Sequence, residues 1–98
     1  MSAHPVRKLA HITAKPGQSA ALRAALQVLE TATRQEPGCV EFTFYQALTT
    51  DASFLLLEHF TDQQALQTHM QLPHTQVFFQ MGLTENVSAV DVPSLRHG

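Results

Sequence analysis

Residues 53–60 read Ser-Phe-Leu-Leu-Leu-Glu-His-Phe (SFLLLEHF), and the reading of the fold turns on this octet. A strand with one face in water alternates apolar and polar side chains, but Phe54 to Leu57 is apolar on both parities. Such a run reads as a strand covered on both faces and central in its sheet. Glu58 and His59 stand at its far end, and Glu58 shares parity with Phe54, Leu56 and Phe60.

Upstream, Thr49-Thr50-Asp51 is a turn, and Cys39 to Gln46 alternates Val40, Phe42 and Phe44 against Glu41, Thr43 and Tyr45, so the two runs make a hairpin. Before it, Leu22, Ala25, Leu26, Leu29, Ala32 and Thr33 recur at three and four residues from Ser19 onward, the mark of an amphipathic helix of about five turns. Glu36-Pro37-Gly38 ends it, because proline cannot continue a helix and glycine accepts a left-handed turn. The chain opens on a strand from Val6 to Lys15, with Val6, Ala10, Ile12 and Ala14 on one parity, a break at Lys8 and Leu9, and a stop at Pro16-Gly17.

Downstream, Asp62 is an N-cap for a helix over Gln63 to Met70 that shows Ala65, Leu66 and His69 on one face, until Leu72-Pro73 interrupts it. Pro73 suits the first turn of a second segment, with Val77, Phe78 and Met81 spaced to face the core and Gly82 as its end. Leu83 to Val92 is a last, weaker strand, and residues 93–98 are a polar tail. The order strand, helix, strand, strand, helix, strand is the split βαβ pattern of a ferredoxin-like α+β fold, a four-stranded antiparallel sheet with its helices on one face. One domain over residues 1–98, with a core at about 5–92, follows from the length. The bare sheet face would carry apolar side chains of the central strand, which argues for a homodimer through sheet faces.

Charged residues are only 14% of the 98, against 44% hydrophobic, which points to surface buried between subunits. Six Lys and Arg against eight Asp and Glu leave a net charge of −2, with no electrostatic footprint for nucleic acid or an anionic membrane. No apolar run is long enough to span a bilayer and no signal-peptide core follows Met1 to Pro5, so the expected location is cytoplasmic. The single cysteine, Cys39, excludes an internal disulfide and a multi-cysteine metal site, and it reads as a small buried hydrophobe.

Several residues can carry chemistry. Glu58 points to the side that Phe54, Leu56 and Phe60 help bury, so its carboxyl is either paired, by a salt bridge or a hydrogen bond to a strand-end backbone group, or raised in pKa and usable as a base. His69 and His74 are five residues apart across Pro73, not the i,i+4 spacing of a zinc pair, so no metal is assigned to them. They either cap and edge the core or line a pocket mouth as proton donors and acceptors. Phe42, Phe44, Phe60, Phe78 and Phe79 are core residues or the walls of a pocket for a planar ligand. His11 has the parity opposite Ala10 and Ile12 and faces away from a helix-covered pocket. Glycine-rich phosphate loops and dinucleotide fingerprints are missing.

Taken together, Lys15-Pro16-Gly17, Glu36-Pro37-Gly38-Cys39, Leu57-Glu58-His59-Phe60, Ala65-Leu66-Gln67-Thr68-His69 and Leu72-Pro73-His74 resemble the antibiotic biosynthesis monooxygenase family, a branch of the dimeric α+β barrels, over about residues 5–92. The resemblance implies a homodimer whose sheets meet as a barrel, and a pocket between the sheet and the second helical segment. It implies a cofactor-independent monooxygenase that oxidises a small quinol or phenol, with O₂ as co-substrate and no cofactor or metal. Glu58, His69 and His74 would be catalytic, with Phe42, Phe60, Phe78, Ala10 and Ile12 around the substrate. The haem-degrading branch needs a histidine and an asparagine where this chain has Phe79 and Ala10. Two alternatives stay open: an isomerase of a small phosphorylated sugar, for which Arg7, Lys8 and Lys15 are the available cations, and a non-catalytic dimer that binds a small ligand.

Overall fold

The structure, a computed structural model, describes residues 4–92. The polar tail expected at 93–98 lies outside the described residues. Four strands, β1 (Val6–Ala14), β2 (Cys39–Gln46), β3 (Ser53–Phe60) and β4 (Thr84–Asp91), and three helices, α1 (Ser19–Thr33), α2 (Gln63–Gln71) and α3 (Pro73–Gln80), follow one another as βαββααβ. The sheet is antiparallel throughout with order β2-β3-β1-β4, so the octet at 53–60 is central, as its composition requires, and the fold is the ferredoxin-like α+β arrangement.

Parity separates the two faces of the sheet. Ala10, Ile12 and Ala14 of β1, Phe42 of β2 and Phe54, Leu56, Glu58 and Phe60 of β3 are buried under the helices, where Leu22, Ala25, Leu26 and Leu29 of α1 meet them. Lys8 lies on this same side, so the break in the β1 pattern is one cationic position on the covered face, between Glu58 on β3 and Asp91 on β4. Its ammonium group pairs with Asp91 at 2.7 Å, near the rim of the sheet.

Three sequence expectations need correction. Helix α1 stops at Thr33, about four turns, because the chain is already in tight turns ahead of Pro37. Val40 is 53% exposed, since the register shifts between Cys39 and Glu41 and the bulge takes it out of the alternation. Val77 and Met81 also point outward, and α3 turns Thr75 and Phe78 into the core instead. An eight-residue helix presents only one i,i+3 pair to a surface it crosses once, so the periodicity of its apolar residues was a poor guide.

The edge strand β2 is guarded by α1. Glu30 accepts the Phe44 backbone N–H at 2.7 Å, and Arg34 Nε donates to the Phe42 carbonyl at 3.0 Å. Groups that would otherwise template another strand are thereby occupied. At the start of β2, Gly38 brings the chain against α2: a Cβ there would collide with the Cβ of Ala65 and crowd Thr61. Gly38→Ala is therefore expected to cost about 1–3 kcal/mol, because helix backbone must give way. Urea unfolding checks it, and a loss below about 0.5 kcal/mol would show that α2 moves freely.

Candidate active site

Between the covered sheet face and the helices lies a cavity of about 330 Å³. Its floor comes from all four strands: Lys8, Ala10 and Ile12, then Phe42 and Phe44, Leu56 and Glu58, and Val87 and Ala89. Leu29 of α1, Leu66, His69 and Met70 of α2, and Thr75, Phe78 and Phe79 of α3 close it from above. Among the described residues, only Lys8, Glu58, His69 and Thr75 bring polar groups to this apolar space, the composition of a small-molecule site. A second recess of about 220 Å³, between α1 and the ends of β2 and β3, has Arg23 and Glu30 on its wall but no buried ionisable group.

Glu58 is the sheet's contribution. The pleat of β3 sends it to the same side as Leu56 and Phe60, and it is 8% exposed. Burial drives its carboxyl up from 4.5 to about 7, and the neighbouring Lys8 charge only partly opposes that. Of the two readings its sequence left open, pairing is not what the structure has: Lys8 Nζ is held by Asp91, and among the described residues the Glu58 carboxyl makes neither a salt bridge nor a backbone hydrogen bond. A carboxyl with this pKa exchanges protons readily near neutral pH.

His69 is the helices' contribution, 3% exposed and packed on Phe60 and Phe42 with ring centroids 5.1 and 5.2 Å away. Its Nδ1–H donates to Glu36 Oε2 at 2.8 Å, with Thr75 Oγ1 3.4 Å from the same nitrogen. His74 Nε2–H donates to that same Glu36 oxygen at 2.6 Å. Glu36 sits in the turn between α1 and β2, its side chain 8% exposed. The three groups place one ligand atom each within 4.8 Å of one another and could hold a transition metal; as they stand, each imidazole donor already has its acceptor.

The structure thus brings Glu58, His69, Phe42, Phe78, Ala10 and Ile12 to one cavity and places two other members of the set elsewhere. His74 does not line the cavity: Pro73 starts α3 so that His74 turns back to the α1–β2 turn, and it meets the site only through Glu36. Phe60 is fully buried behind His69 rather than on the wall. Sequence reasoning missed Glu36, taking it as part of a helix stop, as well as Thr75, and named Lys8 only as a cation for the isomerase alternative. His11 faces the other side of the sheet, where its Nε2 meets Ser53 Oγ at 2.7 Å. The Cys39 thiol is pushed up to about 11, first by burial and then by Glu36, so it stays protonated and is no nucleophile.

No helix among the described residues is long and apolar enough to cross a membrane. A family model described as antibiotic biosynthesis monooxygenase matches residues 5–81. An uncharacterised protein of Synechocystis, sll1783, is 34% identical over 74 residues, 76% of this chain; the match spans 50% of that longer protein. Among solved structures, PA3566 from Pseudomonas aeruginosa superposes with a TM-score of 0.90 at 28% identity, covering 98% of this chain and 99% of that one. Rv0793 from Mycobacterium tuberculosis does so with a TM-score of 0.84 at 27% identity, covering 96% and 98%.

Proposed function

This chain belongs to the antibiotic biosynthesis monooxygenase family, and on that premise we propose that it is a cofactor-independent monooxygenase that oxidises a small quinol or phenol with O₂. The observation that carries the reading is Glu58: a carboxyl buried in an apolar cavity, with a pKa near 7. At about 330 Å³ the cavity lies at the small end of ligand pockets and suits a one- or two-ring phenol better than a flavin or a haem.

The chemistry asks the protein for a base and a dry space. Glu58 takes the phenolic proton, and the electron-rich phenolate passes one electron to O₂. The radical pair joins at a ring carbon bearing hydrogen, giving a peroxide anion. Loss of that C–H proton and cleavage of the O–O bond leave a quinone with one atom of O₂, while the other, protonated by Glu58, departs as hydroxide and becomes water on taking up the C–H proton. Four electrons leave the substrate carbon and four reduce O₂. Apolar walls favour the neutral phenol on entry and shield the phenolate and radical pair from water.

Isomerisation of a phosphorylated sugar fits less well, because the one Lys or Arg among the described residues on the cavity wall, Lys8, is engaged by Asp91. The test is oxygen uptake by the purified protein against hydroquinones, catechols and naphthols, followed by ¹⁸O₂ labelling. Uptake above autoxidation, with one labelled atom in the quinone, is the expected result. A panel that raises the melting temperature without consuming oxygen would instead mark a binding protein.

The reading includes a homodimer through the bare sheet face. Leu55 is 37% exposed there and Val90 62%, with Leu9 and Leu57 paired between them across β1 and β3. Leu57→Lys would bury a charge in such an interface. Sedimentation is expected to show a dimer for the parent and a monomer for the variant; a monomeric parent would remove the dimer from the reading.

A further inference from the structure

The oxidation above needs a second proton acceptor, because the C–H proton leaves while Glu58 is still protonated and due to give its proton to the departing oxygen. The polar contacts of His69, Glu36 Oε2 and Thr75 Oγ1, both fall on Nδ1. A carboxylate oxygen only accepts, so the proton of a neutral His69 is on Nδ1, leaving a lone pair on Nε2. That nitrogen is not sealed in: among the described residues the one buried side-chain polar atom without a partner is Thr33 Oγ1. The open space that His69 borders is the cavity.

We infer that Glu36 is a positioning residue that fixes the tautomer of His69 and presents its Nε2 to the cavity as the acceptor of the C–H proton. The inference rests on the monooxygenase reading and gives it its second base. The C–H bond breaks, its electron pair forms the new carbonyl as the O–O bond opens, and the proton goes to His69 Nε2, from which the departing hydroxide takes it to become water. The resulting imidazolium keeps its Nδ1–H on Glu36, so the positive charge forms beside a carboxylate that is already in place. His74 holds the same oxygen from the other side, its side chain 24% exposed against 4% for His69, and keeps Glu36 from swinging out to water. Gly38 lets α2 lie close enough to the α1–β2 turn for the contact to form.

The experiment has a substrate-free arm and a kinetic arm. Two-bond ¹H–¹⁵N spectra of the ¹⁵N-labelled parent above pH 8, with His69→Asn to assign the signals, are expected to show His69 protonated at Nδ1 and bare at Nε2. An Nε2–H tautomer overturns the inference, and so does a stoichiometric metal held by the purified protein on Glu36, His69 and His74. With a phenol that the parent oxidises, Glu36→Gln is expected to lower kcat about 10²-fold or more with KM little changed. A primary isotope effect should also emerge for substrate deuterated at the oxidised carbon, which a merely loosened fold would not produce. A normal kcat in Glu36→Gln overturns the second-base role while the monooxygenase reading stands. Oxygen uptake absent from the parent defeats the reading itself, and the spectra still decide the tautomer.

Discussion

Glu58→Gln is expected to stabilise the protein above neutral pH while abolishing its turnover. The folded carboxyl titrates at about 7 and the unfolded one near 4.5. Below pH 4.5 both states carry the proton and the residue contributes no difference. Between the two values the unfolded chain ionises while the folded one holds its proton, so folding stability falls as pH rises, and above 7 the whole cost is in place. At about 1.4 kcal/mol per unit that cost is about 3.5 kcal/mol at most, reduced by whatever water the cavity admits to the carboxylate. Glutamine keeps the shape and cannot ionise. The variant should therefore gain about 2–3 kcal/mol at pH 8.5 in urea unfolding and nothing at pH 4, while oxygen uptake falls 10²-fold or more. Parallel stability curves for parent and variant across this range would show that Glu58 is solvated, and the base assignment would go with them.

A cost of that size on one residue, inside a fold whose net stability is only about 5–15 kcal/mol, is what separates this carboxyl from the rest of the core. The other carboxylates facing the interior are matched: Glu30 to the β2 backbone and Glu36 to two imidazoles. Glu58 faces Phe and Leu neighbours and a cavity. Destabilisation retained at a site with proton-transfer capacity is the usual signature of function.

The strands, α1 and α2 were legible in the sequence because their signals are local: a period of two in β1, a period of 3.6 from Leu22 to Leu29, a run apolar on both parities in β3. Glu58 was legible for the same reason, since strand parity alone says which way it points. Glu36 was not. It lies 33 residues from His69 and 38 from His74, and what joins them is the packing of α2 over the start of β2, which no periodicity announces. The reading of His74 as a pocket residue failed on the same ground: its place on α3 is set by Pro73 and its direction by a partner in a distant turn.

Phe60→Ala is expected to be the most damaging single change, costing about 3–5 kcal/mol. Phe60 is fully buried, its ring 6.3 Å from Phe42 and 5.1 Å from His69 by centroid, so truncation removes the surface on which the imidazole rests. Two losses combine: the transfer free energy of a buried aromatic side chain, and a void that close-packed neighbours on β2 and α2 fill only in part. The same change tests where Phe60 stands relative to the cavity. A wall residue, once shortened, would enlarge the site and admit bulkier phenols at little cost in stability. A residue behind His69 instead loosens the imidazole and lowers kcat along with stability, and Phe60→Leu, which keeps most of the volume, should recover much of both. Urea unfolding of the two variants, with oxygen uptake on a one-ring and a two-ring phenol, separates these cases. A loss below about 1.5 kcal/mol for Phe60→Ala, with bulkier phenols newly accepted, would place Phe60 on the wall after all.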